Sequence, residues 1–278
     1  MTTDTAAIPF VKMSGAGNDF IVIDNRDGRV GDEAPDLARR VCRRRLSVGA
    51  DGLILVEDHP SADFAWRFYN ADGSRPGMCG NGARCVARFA RLSGIAGDEM
   101  TFATLAGTIR ARVRGDRVEI DMTPPGPVAG GEPIELHGTT VAPVTVDTGV
   151  PHAVVFVEDV EAVDVVGLGR PLRHHPRFAP AGTNANFVAV QRPGRLALRT
   201  YERGVEDETL ACGTGAVAAA LVAARRHGWP SPVDIETRSG AVLTVHFTPD
   251  GDGVRDVRLE GDARLVCRGE MGPDAWRY

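Results

Sequence analysis

Tyr201–Ala220 read YERGVEDETLACGTGAVAAA, a polar strand end followed by a Cys-Gly-Thr-Gly turn and an alanine-rich helix. This order places the thiol of Cys212 at the start of a helix. The unpaired N–H groups of a first helical turn, together with the helix dipole, stabilise a thiolate and bind an anion beside it. Cys212 is therefore a candidate reactive residue, although a small thiol ahead of a small-residue helix is also compatible with simple packing.

A second copy of the pattern favours the reactive interpretation. CGNGARCVARFA begins at Cys79 and CGTGAVAAALVA at Cys212, so C-G-x-G-A-x-x-x-A-x-x-A recurs without a gap, 133 residues apart. A strand with aromatic residues, Arg67–Tyr69 or Arg199–Tyr201, precedes each cysteine. Repetition at close to half the chain length indicates an internal duplication. We expect each half to be a β-rich domain wrapped on one long helix, with both helix starts facing one cleft.

Composition excludes several classes of partner. With 278 residues, 43% of them apolar, the chain is long enough for two modest cores. A net charge of −5 and a pI near 5.8 argue against nucleic acid, and the arginine run Arg43–Arg45 is expected to be a solvated helix face. No apolar stretch is long enough to span a bilayer, and the N-terminal residues lack a signal peptide pattern. We predict a cytoplasmic protein with no membrane or nucleic-acid partner.

Cysteine and lysine usage restrict the chemistry. The five cysteines are an odd number without an export signal, and none forms a CxxC pair, so neither a disulfide framework nor a structural metal is expected. Lys12 is the only lysine and hence the only possible Schiff-base residue for pyridoxal phosphate. Gly15-Ala16-Gly17 lacks the third glycine and the helix of a dinucleotide loop. We therefore predict no cofactor.

Local patterns outline the remaining elements. A hairpin is predicted with its turn at residues 14–18, a helix from Pro35 with an apolar side formed by Leu37, Val41 and Leu46, and a second helix from Ala83 to residue 92. A short helix is expected over residues 164–172, and the helix after Cys212 should end near residue 227, where glycine and prolines follow. The Pro-rich run at residues 124–127 is the predicted domain boundary.

Two equivalent thiols across a cleft suit stereoinversion at a carbon. One thiolate removes a proton from one face while the opposite thiol delivers a proton to the other, and the helix N-termini neutralise the negative charge that develops. Thiols suit this task because their unperturbed pKa of about 8.5 makes both protonation states accessible near neutral pH. The enantiomer that binds decides which sulfur acts as base.

Four motifs, MSGAGNDF, NADGSRPGMCGNGARC, GTNANF and YERGVEDETLACGTG, are spread over the chain and resemble those of the diaminopimelate epimerase family. The resemblance implies an isomerase, independent of pyridoxal phosphate and of metal, that interconverts LL- and meso-2,6-diaminoheptanedioate in the lysine and peptidoglycan pathways. It implies an α+β fold of two pseudo-symmetric domains, each a mostly antiparallel, barrel-like β-sheet around a central helix. We predict an N-terminal domain of residues 1–124, joined by residues 263–278, and a C-terminal domain of residues 125–262.

The resemblance also implies roles for individual residues. Cys79 and Cys212 would be the catalytic acid/base pair, and His152 and Glu202 would tune the thiols. The implied substrate ligands are Asn18, Asn70, Gly80, Asn81, Asn184, Glu202, Arg203, Gly213 and Thr214. Physical chemistry agrees, since a substrate with two zwitterionic ends needs amides and a carboxylate for its ammonium groups and an arginine for its distal carboxylate. A turn or capping role is the alternative for each amide.

Three positions depart from the family pattern. Val150 stands where some members have an asparagine ligand, and Gly52 stands where some have a glutamine. Neither side chain can make a polar contact. Cys267 lies near the place of a tyrosine linked with dimer packing in some members, so a homodimer is possible but not required by this sequence.

Two alternative functions stay open. Proline racemases and hydroxyproline epimerases share the two-base logic, but they favour a CGHG first motif, whereas this chain has Cys79-Gly80-Asn81-Gly82 together with Glu202-Arg203. A non-enzymatic module that holds an anion at two helix starts is the alternative from another class.

Overall fold

Residues 7–278, which the computed structural model describes, form mainly β-strands around a few helices. The helices are α1 (Ala34–Val41), α2 (Gly80–Leu92), α3 (Val165–Arg173) and α4 (Gly213–His227), with short 3-10 helices at Pro176–Phe178 and Pro273–Ala275. The strands, in chain order, are β1 (Ile8–Gly15), β2 (Asn18–Asp24), β3 (Gly52–Glu57), β4 (Phe64–Asn70), β5 (Glu99–Thr104), β6 (Gly107–Arg114), β7 (Arg117–Asp121), β8 (Ala129–Gly130), β9 (Ile134–Leu136), β10 (Thr139–Val141), β11 (Val144–Asp147), β12 (Pro151–Phe156), β13 (Asn184–Arg192), β14 (Arg195–Glu202), β15 (Asp207–Thr209), β16 (Val233–Glu236), β17 (Val242–Asp250), β18 (Gly253–Asp262) and β19 (Arg264–Met271).

The first of two units contains the described residues up to Ile120 together with Asp262–Tyr278. Its sheet runs in the order β19, β1, β2, β3, β4, β5, β6, β7. The β2–β3 and β4–β5 pairs are parallel and the other pairs are antiparallel. Helix α2 packs against β1, β2, β3 and β6, so this sheet wraps around it.

The second unit, Asp121–Gly261, repeats this order of pairing. The sheet passes through β11, β12, β13, β14, β16, β17 and β18, with β12–β13 and β14–β16 parallel and the other pairs antiparallel. Helix α4 packs against β11, β12, β13, β14, β16 and β17. Parallel and antiparallel strand pairs follow one another in the same order in the two units. The duplication seen in the cysteine motifs therefore extends to the fold.

The composition of α4 explains how a sheet can close around it. Ten of its residues, from Gly215 to Ala224, are buried, and most of these are alanine, the best helix former and the smallest side chain with a Cβ. Small side chains let strands approach the helix on all sides. The helix ends at Gly228, whose φ of 68° is a left-handed C-cap that glycine adopts without steric cost.

One predicted helix is shorter than expected. Helix α1 ends at Val41, so Leu46 lies beyond it and is 57% exposed, and its predicted place on the apolar side is wrong. The arginine run forms a turn instead of a helix face, since Arg44 pairs with Asp19 at 2.7 Å and Arg45 adopts a left-handed φ of 72°. The chain thereby folds back, and the Gly49 N–H donates to the Val41 carbonyl.

The predicted α+β class is confirmed by these elements. The hairpin is also confirmed as β1 and β2, as are the helices that we predicted at α2, α3 and α4. Among residues 7–278, no helix has both the length and the apolar character required to cross a bilayer.

Candidate active site

In the first unit, the sheet brings several predicted site positions to one end of neighbouring strands. Asn18 begins β2, Gly52 begins β3 and is paired with Phe20, and Asn70 ends β4 opposite Gly52. The chain then continues from β4 towards Cys79. Residues that are far apart in sequence therefore share this edge because β2 and β3 run parallel while β4 runs antiparallel to them.

Cys79 caps the N-terminus of α2. It has extended backbone angles, φ −146° and ψ 110°, and its Sγ accepts a hydrogen bond from the Gly82 N–H at 3.4 Å. The side chain is half-buried. An N–H donor and the positive end of the helix dipole both stabilise negative charge on this sulfur.

A chain of amide hydrogen bonds joins the hairpin to the start of α2. Asn81 is buried, and its Nδ2 donates to Oδ1 of Asn18. The Nδ2 of Asn18 in turn donates to the Asp51 carboxylate at 3.1 Å. The hairpin turn packs closely on the helix, since a Cβ on Gly15 would lie only 3.1 Å from the Asn81 carbonyl oxygen. The structure thus brings the predicted ligands Asn18 and Asn81 together beside Cys79 and Gly80.

Asn70 is engaged differently. Its Nδ2 donates to the Ser74 hydroxyl at 2.9 Å and its backbone N–H to the Ser74 carbonyl, so it closes the turn that follows β4. The neighbouring Gly52 has no room for a side chain, because a Cβ there would lie 2.6 Å from the Phe68 ring and 2.7 Å from the Tyr69 carbonyl. The Phe68 ring fills the space into which a longer residue at Gly52 would extend.

The second unit gathers its predicted residues at the equivalent strand ends. His152 lies near the start of β12 and is paired with Asn184 at the start of β13, while Glu202 ends β14. The chain then reaches Cys212 at the N-cap of α4. The backbone angles of Cys212, φ −113° and ψ 110°, resemble those of Cys79.

Cys212 has a more enclosed environment than Cys79. It is 5% exposed, and its Sγ lies 3.5 Å from the Thr214 hydroxyl. Burial raises the pKa of the Cys212 thiol well above its usual range, and the nearby charge of Glu202 acts in the same direction, while the Thr214 hydroxyl acts against it. Burial likewise raises the pKa of the Glu202 carboxyl. Both groups are therefore biased towards their protonated forms.

A buried polar cluster lies beneath the start of α4. Asn186 accepts from the Thr200 hydroxyl at 3.0 Å and donates from Nδ2 to the Ala153 carbonyl and to Nδ1 of His152, each at 3.1 Å. Since the amide nitrogen is a donor, Nδ1 of His152 is the acceptor and the ring proton is on Nε2. Burial lowers the pKa of His152 to about 3, so the ring is neutral at physiological pH.

This cluster also explains the second glycine of the C-G-T-G motif. A Cβ on Gly215 would lie 2.5 Å from Oδ1 of Asn186 and 3.2 Å from the sulfur of Cys212. Gly213 is less tightly restricted, because the nearest atom to its Cβ would be a Leu259 methyl at 3.0 Å. The helix start therefore rests directly on the Asn186 amide.

Asn184 holds the backbone that carries Arg203. Its Oδ1 accepts the Arg203 N–H at 2.8 Å and its Nδ2 donates to the Pro151 carbonyl at 3.0 Å. The guanidinium of Arg203 is bonded to the Ala181 carbonyl at 3.3 Å. In this unit the predicted ligands Asn184 and Arg203 are thus linked to each other, and the Val150 carbonyl accepts the Thr148 N–H.

Three residues that matter to this geometry were missed by the sequence analysis. Asp51, Arg84 and Asn186 each bond to a predicted site residue or to its support. Arg84 lies inside the CGNGARC motif, so its place in a quoted motif was the available signal. Asn186 likewise lies inside the quoted GTNANF motif, whereas nothing in the local sequence marks Asp51 apart from its position next to Gly52.

Comparison with known proteins covers most of the chain. A family model described as diaminopimelate epimerase matches residues 10–128 and 144–266. The diaminopimelate epimerase of Aquifex aeolicus is 46% identical over 97% of this chain and 99% of its own length, and that of Chlorobaculum tepidum is 45% identical over 93% and 99%.

Solved structures with lower identity share the fold. A phenazine biosynthesis protein of the PhzF family from Bacillus anthracis superposes with a TM-score of 0.77 at 15% identity, covering 96% of this chain and 99% of that one. A hydroxyproline epimerase from Agrobacterium vitis gives 0.69 at 20% identity, covering 99% and 94%. At such identities the likeness concerns the fold alone. The matches at 45–46% identity go further and confirm the resemblance of the motifs. This chain belongs to the diaminopimelate epimerase family.

Proposed function

We propose that this protein interconverts LL- and meso-2,6-diaminoheptanedioate, a step in the formation of lysine and peptidoglycan precursors. The proposal rests on family membership over nearly the whole chain, combined with one structural observation. Each unit places a cysteine at the N-cap of its central helix, at the same point in the same order of strands. The relatives named above carry this activity in their names.

The mechanism that suits this arrangement uses two bases. A thiolate removes the α-proton from one face of the substrate, and the S–H of the other cysteine protonates the opposite face, so that the bound α-carbon is inverted and each sulfur has exchanged its protonation state. The mechanism requires both sulfurs to reach the same carbon. Negative charge that develops next to the substrate carboxylate is stabilised by helix N-terminal N–H groups.

The environments of the two cysteines favour one resting state. Burial and Glu202 keep Cys212 as the thiol, which makes it the acid for the substrate that presents its α-proton to Cys79. Cys79 is half-buried and accepts the Gly82 N–H, so negative charge is better tolerated there. After turnover in this direction the roles are reversed.

Substrate contacts are assigned to polar groups at the strand ends. We assign carboxylate binding to Gly80 and Asn81 in the first unit and to Gly213 and Thr214 in the second. Asn18, Asn70, Asn184, Glu202 and Arg203 are assigned to the remaining ammonium and carboxylate groups. For Asn184 the observed bonds support an indirect contribution as well, because they orient the backbone of Arg203.

A reaction without pyridoxal phosphate agrees with the environment of the only lysine. The Nζ of Lys12 lies 2.8 Å from the Asp19 carboxylate and also donates to the Gly49 carbonyl, in a side chain that is almost buried. An amine held by an ion pair and by a hydrogen bond to a backbone carbonyl is poorly placed for Schiff-base formation.

A homodimer is the proposed assembly. Strand β19 bonds to β1 and is exposed along most of its length, including Val266 at 58% and Cys267. An exposed strand of this kind is suited to pairing with a second copy. Sedimentation should give twice the chain mass of 29.6 kDa, and a Val266→Glu substitution should shift the equilibrium towards the monomer. A wild-type protein that sediments as a monomer at micromolar concentration would exclude the dimer.

The decisive experiment is an epimerisation assay on LL-diaminopimelate in deuterated water, with proline as the control substrate. We expect turnover of diaminopimelate alone, with solvent deuterium incorporated at the inverted carbon. Cys79→Ser and Cys212→Ser should each reduce kcat/KM by at least about 100-fold. Turnover of proline but not diaminopimelate would support a proline racemase, and binding without any turnover would leave only the anion-binding module.

A further inference from the structure

Arg84 is the largest side chain that is completely buried in the described part of the chain. It lies in the second turn of α2, five residues after Cys79. Its Nη2 donates to Oδ1 of Asn81 at 2.8 Å, while Nη1 and Nε donate to the carbonyls of Gly80 and Asp262, both at 3.3 Å. All three acceptors are uncharged oxygens.

Within residues 7–278, no carboxylate accepts a hydrogen bond from this guanidinium, so its positive charge is not cancelled in that way. The nearby carboxylate of Asp262 is committed elsewhere, since it accepts the Ala16 N–H and pairs with Arg264 at 2.9 Å. Arginine remains protonated even when it is buried. A buried cation of this kind is costly, and it attracts an anion that binds nearby.

Arg84 also determines how Asn81 is oriented. A guanidinium has only donors, so the atom of Asn81 that faces it must be the amide oxygen. The NH₂ group of Asn81 must then face the hairpin, where it donates to Asn18. The orientation of an amide that we assign to substrate binding is thus set from behind by one charged residue.

The second repeat shows that packing alone does not require this charge. The position that corresponds to Arg84 in the C-G-x-G-A pattern is Val217, which is completely buried in α4. The same helix turn is stable with an apolar side chain in one unit and carries a buried charge in the other. A buried charge without a hydrogen-bonded carboxylate, placed near a candidate reactive group, is a candidate functional feature.

We propose that Arg84 is a positioning residue for the Cys79 half of the reaction. It fixes the orientation of the Asn81 amide, and through it that of Asn18, at the start of α2 where a substrate carboxylate would bind, and it supplies a permanent positive charge near that carboxylate and the Cys79 sulfur. The substrate part of this inference rests on the proposed function. The effect on the Cys79 sulfur does not.

The test compares three variants, Arg84→Met, Arg84→Lys and the matched control Arg88→Met. Arg88 lies one turn further along α2 and donates to the carbonyl of Ala263, next to the residue that Arg84 contacts, without touching Asn81. The rate of iodoacetamide alkylation at Cys79 is measured against pH by peptide mass spectrometry, without substrate. Steady-state kinetics on diaminopimelate and circular dichroism of each variant complete the set.

We expect the alkylation midpoint of Cys79 to rise by about one pH unit in Arg84→Met, because the cation that favours the thiolate is lost. In Arg84→Lys and Arg88→Met it should stay at the wild-type value. The kcat/KM should fall about 100-fold in Arg84→Met. In Arg84→Lys it should fall about tenfold, mainly through KM, because an ammonium cannot hold the Asn81 oxygen and two carbonyls in one planar fork.

Several results would overturn the inference. A folded Arg84→Met protein with the alkylation midpoint and kcat/KM of Arg88→Met would show that the charge has no role. If Arg84→Met does not fold, Arg84→Lys provides the test. A wild-type KM in Arg84→Lys would contradict the proposal that Arg84 positions Asn81. A wild-type enzyme without activity on diaminopimelate would reject the proposed function instead, and the alkylation comparison would still judge the charge of Arg84.

Discussion

The neutral, buried state of His152 predicts how the stability of the protein depends on pH. Its pKa is lowered from 6.5 to about 3 in the folded state because the ring is buried. Between these values the unfolded chain binds a proton that the folded protein does not, so stability is complete above pH 6.5 and declines as the pH falls below it. With 1.36 kcal/mol per pKa unit, the free energy of unfolding should be ~1.4 kcal/mol lower at pH 5.5 than at pH 7.5.

Urea unfolding followed by circular dichroism at these two pH values measures the loss. His152→Gln replaces the titrating group with a neutral amide, so its stability, although lower throughout, should lose ~1.4 kcal/mol less between pH 7.5 and 5.5 than the wild type. His137→Asn serves as the control, because His137 is exposed in a left-handed turn that asparagine tolerates. Parallel declines in the wild type and His152→Gln, or a folded-state NMR titration of His152 with a midpoint near 6.5, would refute the reasoning.

Further predictions concern the helix starts and the residues that support them. Gly215→Ala should destabilise the protein by about 1–3 kcal/mol in urea unfolding, since the new methyl group meets Asn186, whereas Gly213→Ala meets only a movable leucine methyl and should cost less. Equal losses of unfolding free energy in Gly215→Ala and Gly213→Ala would contradict this packing argument. Asp51→Ala releases the Asn18 amide and should lower kcat/KM by at least about tenfold with retained secondary structure, and unchanged kinetics would exclude a positioning role. If the two-base proposal holds, mild oxidation should link Cys79 to Cys212 and abolish activity reversibly, and peptide mapping that finds both thiols free in the inactive protein would disprove the link.

The sequence predicted the fold class because its strongest signal is repeated. A cysteine before a small-residue helix is ambiguous once, but two copies at the same spacing predicted both central helices. The hairpin was readable as well, since turn-forming residues at positions 14–18 separate two apolar runs. These features can be predicted from local sequence patterns alone, without knowledge of tertiary contacts.

Features that depend on distant partners could not be predicted in this way. The end of α1 was missed because Arg44 bonds to Asp19, a residue 25 positions earlier, and this pairing turns the chain away from a helix that the pattern would continue. The burial of Arg84 was equally invisible, because arginine in a helix is usually a surface residue. The predicted amide ligands could be named from motifs, whereas Asp51, which orients the Asn18 amide, is specified only by the folded sheet.

The matching order of strands in the two units has an evolutionary consequence. Under the two-base mechanism proposed above, an ancestor made of one such unit would have had to associate with an identical copy in order to bring two cysteines to a substrate, and every change to one half would have altered the other. Joining the copies in one gene removes that restriction. Arg84 opposite Val217 and Asn81 opposite Thr214 in the aligned repeats show the halves diverging. On the proposed two-base mechanism, such divergence gives the two faces of one α-carbon different surroundings, so the group that acts as acid and the group that acts as base need not be alike.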